Sequence, residues 1–259
     1  MKERPPETSE PEHLGKSRIQ ARSLYRSMTF TNMRVLSELK NLFVPPGSRE
    51  RTILAGPFKE FQMQLSLRSQ TQIYLGLWER EVYSCLRRLS QDIRTAVDIG
   101  AARGEYTLFF LKKTTAEKVY AFEPDSAVSE VLSHNLALNG LSGLDRLERS
   151  ARFVGAYCDH RQVSLDSLLP YLNWPCLIKM DVDGYEEEIL KGANVLNLQH
   201  GVRWLIETHS KELELACVRI LSERGFRTKV IPNAWWRAIL PEQRLVEQNR
   251  WLAAWKERA

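Results

Sequence analysis

An α/β fold built on a mostly parallel sheet is predicted by three observations. First, Thr95 to Thr107, TAVDIGAARGEYT, runs from an apolar stretch into a small-residue turn and on into a helical pattern, the layout of a buried strand, a glycine loop and a helix. Second, from Arg94 onward short apolar runs alternate with helix-period segments, the signature of a parallel sheet covered on both faces. Third, acidic residues recur at the ends of those runs, where open α/β sheets bind their ligands. Strands are expected near 95–99, 118–123, 144–148, 176–181, 202–207, 226–231 and 250–255.

Taken in order, residues 1–16 are rich in Pro, Glu, Ser and Thr and read as a disordered tail. Residues 17–92 read as an N-terminal extension. Met33, Leu36, Leu39 and Phe43 recur at helical spacing between Thr31 and Phe43, and the helix must stop before Pro45-Pro46. Basic residues flank that helix, which can pack on its own domain, on a membrane surface or on a second copy in a homodimer. Thr52 to Leu67 reads as a hairpin around Gly56-Pro57 and Lys59-Glu60, and Glu79 to Leu89 as a helix with Val82, Leu86 and Leu89 on one face.

Residues 93–259 carry the sheet. The helix after Pro124 can be capped by Asp125 or Ser126 and closes at Asn139-Gly140; the helix after Ser210 closes at Gly225. The stretch from Pro232 to Asn249, with Trp235, Trp236 and Arg237, has no long helical pattern, so the last two strands are expected to form an antiparallel hairpin.

The glycine turn narrows the ligand class. Gly100 and Gly104 frame Ala101 and Ala102, and the third small residue of a dinucleotide fingerprint falls on Glu105. A dehydrogenase is therefore disfavoured. Asp98 suits a ligand that brings an ammonium group to the strand end, and Glu123, at the end of the next strand, suits two ribose hydroxyls. S-adenosylmethionine presents both groups.

VDIGAARGEYTLFFL, VYAFEPDS, HNLALNG, SLDSL and LIKMDVDGYEEEILKGA, in this order, resemble the FkbM-type S-adenosylmethionine-dependent methyltransferases from about Leu75 to Glu207. The resemblance implies a Rossmann-like, seven-stranded class I methyltransferase sheet ending in an antiparallel pair. It implies S-adenosylmethionine as cofactor, with Asp98, Gly100 and Gly104 at the methionine end, Glu123 at the ribose, and Ala101, Tyr106 and Pro124 also in contact with it. It also implies a hydroxyl acceptor on a sugar, glycan or polyketide-like metabolite. Two positions depart from the family: Ala102 stands where Asn is usual, and Asp183 where Glu is common. The segment RLERSARFVGAYCDH offers the adenine only Glu148, Ser150 and Asp159.

Methyl transfer to an alcohol needs positioning and a base. The candidates are Asp181, Asp183 and His209, each with a structural alternative: Asp183-Gly184 is also a turn that caps a helix, and a lone His is commonly a hydrogen-bonded core residue. Asp181, Asp183, Glu207 and His209 could together hold a divalent cation. With no ligand spacing on a single element, the sequence favours no metal. Trp235 and Trp236 could stack on a sugar ring or roof the acceptor, or simply pack the hairpin, and Trp78-Glu79 could reach over the cofactor.

The net charge of +5 sits at the ends of the chain, while residues 52–222 carry 19 basic and 22 acidic side chains. No nucleic-acid partner is therefore expected, and a nucleic-acid methyltransferase remains an alternative beside a non-catalytic module that keeps the fold. Cys85, Cys158, Cys176 and Cys217 form no C-x-x-C pair and read as free thiols of a reducing compartment. With no signal-peptide pattern and no run of the ~20 apolar residues a span requires, the expected location is the cytoplasm.

Overall fold

Buried on both faces, a parallel strand must be apolar throughout, and its alternate side chains then feed two different cores. The computed structural model, which describes residues 44–234 and 249–256, follows this rule in its central strands apart from buried polar positions such as Asp98 and Lys179. A hairpin of β1 (Arg49–Thr52) and β2 (Gln62–Leu65) precedes helices α1 (Leu67–Leu75) and α2 (Tyr83–Leu89). Then come β3 (Thr95–Ile99), α3 (Glu105–Lys113), β4 (Lys118–Phe122), α4 (Ser126–Leu138), β5 (Leu147–Ser150), β6 (Phe153–Gly155) and β7 (Gln162–Ser164). The chain continues through β8 (Cys176–Met180), α5 (Glu186–Lys191), β9 (Val202–Thr208), α6 (Lys211–Glu223), β10 (Arg227–Ile231) and β11 (Arg250–Trp255).

Seven strands form one sheet in the order β10-β11-β9-β8-β3-β4-β5. All neighbours are parallel except β11, which runs antiparallel to both β9 and β10. The expected terminal hairpin is present, with its last strand inserted inside the sheet rather than added at the edge. The third expected strand, placed at 144–148, forms later, at Leu147–Ser150. The two-stranded parallel sheet of β6 and β7 was not anticipated, because three-residue strands leave no periodic signal.

Ala96, Ala121, Leu177 and Leu205 join one core with α3, α4 and the N-terminal hairpin; Val97, Phe122, Ile178 and Ile206 join the other with α5 and α6. The hairpin is docked rather than appended. Phe58 and Phe61 are fully buried, and Asn135 and Asn139 of HNLALNG accept from the backbone N–H of Gln64 and Gln62 at 2.8 and 3.2 Å. Asn135 also donates to the carbonyl of Arg103 at 2.8 Å, tying the glycine turn to the same helix.

Helix starts follow local chemistry. Asp125 accepts from the N–H groups of Ala127 and Val128 to cap α4, and Ser210 accepts from Leu213 to cap α6. Gly100 has no substitute: at φ +71°, a Cβ there would lie 1.9 Å from the carbonyl oxygen of Asp181. The turn after β3 therefore presses directly on the end of β8. Among the described residues no helix is long and apolar enough to cross a membrane.

Candidate active site at the switch point of the sheet

Strand order reverses between β3 and β8, the place where such sheets open a crevice beyond their carboxyl ends. The two strands run in register, with Asp98 opposite Lys179. Both side chains are buried, and the Lys179 ammonium lies 3.4 Å from Asp98 Oδ1, donates to the Gly100 carbonyl at 2.8 Å and sits 5.0 Å from the centre of the Tyr106 ring. The other Asp98 oxygen accepts from the Thr107 hydroxyl at 2.6 Å. Burial raises the carboxyl pKa of Asp98, against the pull of Lys179 and Thr107. Burial alone would lower the pKa of Lys179, but the surrounding carboxylates, Asp98 foremost and Asp181 next, outweigh it and keep the ammonium charged. The ammonium beside Asp98 in this structure is the protein's own Lys179.

The turn itself is held from the neighbouring strand. Gly100 and Ala101 donate to the carbonyl of Phe122, and the two oxygens of Glu123 accept from Ala102 N–H at 2.8 Å and Asp125 N–H at 3.0 Å. Ala102 adopts φ +47°, a left-handed conformation that Asn tolerates better than Ala. Pro124 follows Glu123, half-buried at the start of the α4 cap. In front of the turn lies a cleft of about 320 Å³, near the lower end of the range for small-molecule sites. Ala101, Ala102, Glu105 and Tyr106 from the turn and α3 form one wall, with Lys179 and Asp181 from the end of β8. The opposite wall comes from the N-terminal region, through Gln70, Ile73, Trp78 and Glu79. Tyr106 donates its hydroxyl to buried Glu79 at 2.6 Å, joining the two walls.

Next to the cleft, folding assembles a second group from three elements. His209 follows β9 and is 8% exposed; Glu207 on β9 and Glu186 at the start of α5 are fully buried. His209 Nδ1 lies 2.6 Å from Glu186 Oε1, which fixes the ring. Its Nε2 faces Asp183, Asp181 and Glu207 at 3.4, 3.5 and 3.8 Å. One ligand atom each of Asp181, Glu207 and His209 lie within 4.8 Å of one another. Burial pulls the His209 pKa down, yet the Glu186 contact and the charges of Asp181, Glu186 and Asp183 together hold it above the usual imidazole value.

Asp181, Asp183 and His209 therefore meet, as do Gly100, Ala101, Gly104, Tyr106 and Glu123 around the turn. Lys179 and Glu186 were missed, although a lysine inside an apolar run, LIKMD, is itself a signal of a buried charge. Trp78 and Glu79 line the cleft, whereas Trp235, Trp236, the helix expected at 31–43 and the tail expected at 1–16 lie outside the described residues. Of the three adenine candidates, Asp159 closes its own turn by accepting from Arg161 and Gln162. Glu148 pairs with Lys118 mid-strand, and Ser150 accepts from Arg152.

No protein-family model and no curated protein match the chain. Among solved structures it is similar to methyltransferase FkbM from Methylobacillus flagellatus KT, at 21% identity and TM-score 0.51, over 64% of this chain and 44% of that one. The chain thus spans less than half of the FkbM protein's length. It also resembles precorrin-6y C5,15-methyltransferase from Geobacter metallireducens GS-15, at 16% identity and TM-score 0.47, over 70% and 89% of the two chains. An rRNA methylase from Streptococcus thermophilus matches at 16% identity and TM-score 0.47, over 70% and 99%. Methyltransferases of this fold class use S-adenosylmethionine as methyl donor. The seven-stranded sheet, parallel except for its inserted last strand, is the class I methyltransferase fold.

Proposed function

We propose that the protein is an S-adenosylmethionine-dependent methyltransferase of FkbM type that acts on a hydroxyl of a sugar, glycan or polyketide-like metabolite. The observation that carries the reading is the cleft at the switch point of a class I methyltransferase sheet, walled by the glycine turn. Its lining fits the donor's chemistry: carboxylates of Glu79 and Glu105 for an ammonium, cations of Arg103 and Lys179 for a carboxylate, and the rings of Trp78 and Tyr106 for a sulfonium. When bound, S-adenosylmethionine supplies a methyl group whose leaving atom departs as a neutral thioether.

Asp98 acts by fixing Lys179, which braces the Gly100 carbonyl and faces the cleft. Glu123 retains lone pairs for ribose hydroxyls while it locks Ala102 and Asp125. The acceptor's proton leaves toward Asp181, Asp183 and His209. From the described part of the N-terminal extension, Gln70, Ile73, Trp78 and Glu79 close the cleft over the sheet domain. Nucleic acid is not the favoured acceptor: the groove of about 760 Å³ that bears Lys59, Arg87, Lys112 and Lys113 lies at the far end of α3, roughly 13 Å along the helix from the cleft.

Amide hydrogen exchange tests the placement. Adding S-adenosylhomocysteine should slow exchange in residues 100–107 and 78–79, with no change at Lys112–Thr115. Protection confined to 112–115, or none, would contradict it.

A further inference from the structure

We infer that Asp181, Glu207 and His209 form a divalent-cation site beside the cleft. Three observations converge. The three ligand atoms come within 4.8 Å of one another, although their residues lie on two strand ends. His209 Nε2 is buried, makes no hydrogen bond, and points at the carboxylates at 3.4–3.8 Å, longer than the ~2.7–2.9 Å of a charge-assisted bond. Two ligands that each lie about 2.1 Å from one ion are about 3.0–3.4 Å apart in octahedral or tetrahedral geometry; His209 Nε2, at 3.5 Å from Asp181 and 3.8 Å from Glu207, reaches that spacing with a side-chain movement of a few tenths of an ångström.

The third observation is the second ring nitrogen. His209 Nδ1 is held at 2.6 Å by the fully buried Glu186, the carboxylate–histidine pairing that orients a metal-binding imidazole. Glu186 opens α5 as the first of three consecutive glutamates, where the helix dipole favours negative charge, so its place is set by the helix. Two carboxylates with one imidazole suit a hard cation that still accepts imidazole, such as Mn²⁺, over a thiophilic one. Asp183, 92% exposed in its side chain, stands at the mouth and is available to the ion or to solvent. The site does not depend on the donor reading.

Mn²⁺ titrated into the full chain without donor, with the free ion read by its electron paramagnetic resonance spectrum, is the test. One ion per chain is expected to bind saturably. Asp181→Asn and His209→Gln should each weaken it at least about 10-fold, Glu186→Gln about 10- to 100-fold, and the surface change Asp159→Asn not at all. Circular dichroism verifies that each variant is folded, and Asp181→Asn, at a partly exposed position, carries the test if His209→Gln is not. Non-saturable binding, or equal binding by the wild type and Asp181→Asn, overturns the site. Donor binding measured in chelator is a separate result, and its loss would leave the cation result standing.

Discussion

Asp98 and Lys179 show why a buried ion pair is read through what surrounds it. Each charge alone would be costly at this depth, and the pair persists because Thr107 donates to one Asp98 oxygen while the Gly100 carbonyl and the Tyr106 ring receive the Lys179 ammonium. Replacing Lys179 by Met strands the Asp98 carboxylate and should cost about 3–5 kcal/mol of stability. The double change Asp98→Asn with Lys179→Met should recover a large part of that loss. Urea unfolding followed by tryptophan fluorescence reads both variants. A single-site cost below about 1 kcal/mol would mean the two groups do not depend on each other.

At the scale of elements, the turn between β3 and α3 is the part most tightly specified. Gly100 is fixed by its approach to Asp181, and Ala102 carries a left-handed backbone without the side chain that suits it. Ala102→Asn should therefore raise stability by about 0.5–1 kcal/mol, seen as a midpoint increase of about 1–4 °C in thermal unfolding. A decrease would show that the methyl group at 102 is packed to advantage. The turn, the strands and the caps at Asp125 and Ser210 were legible in the sequence because each rests on neighbours in the chain. Lys179 and Glu186 were not, because what they do depends on Asp98 and His209, which are brought to them by strand order and loop closure. The β6–β7 pair escaped for a different reason: its three-residue strands carry too little side-chain pattern.

The whole molecule separates a scaffold from a site. Two cores on opposite faces of one sheet hold β3, β4, β8 and β9 so that their ends converge, and the docked N-terminal hairpin and α1 supply the facing wall. The sheet was readable from alternation of apolar runs and helices; the wall was only partly so, because Gln70 and Ile73 carry no chemical signature until they face the turn. The role of Glu123 rests on the same assembly, since its carboxylate braces the turn and stands at the end of the strand beside it. Calorimetric titration of S-adenosylmethionine and S-adenosylhomocysteine into the wild type and Glu123→Ala, with NAD as control, puts the central claim to the test most directly. Saturable binding of both ligands, weakened by about 1–3 kcal/mol in Glu123→Ala, with none for NAD, is the predicted result. Heat from NAD alone, or from none of the three, would contradict it.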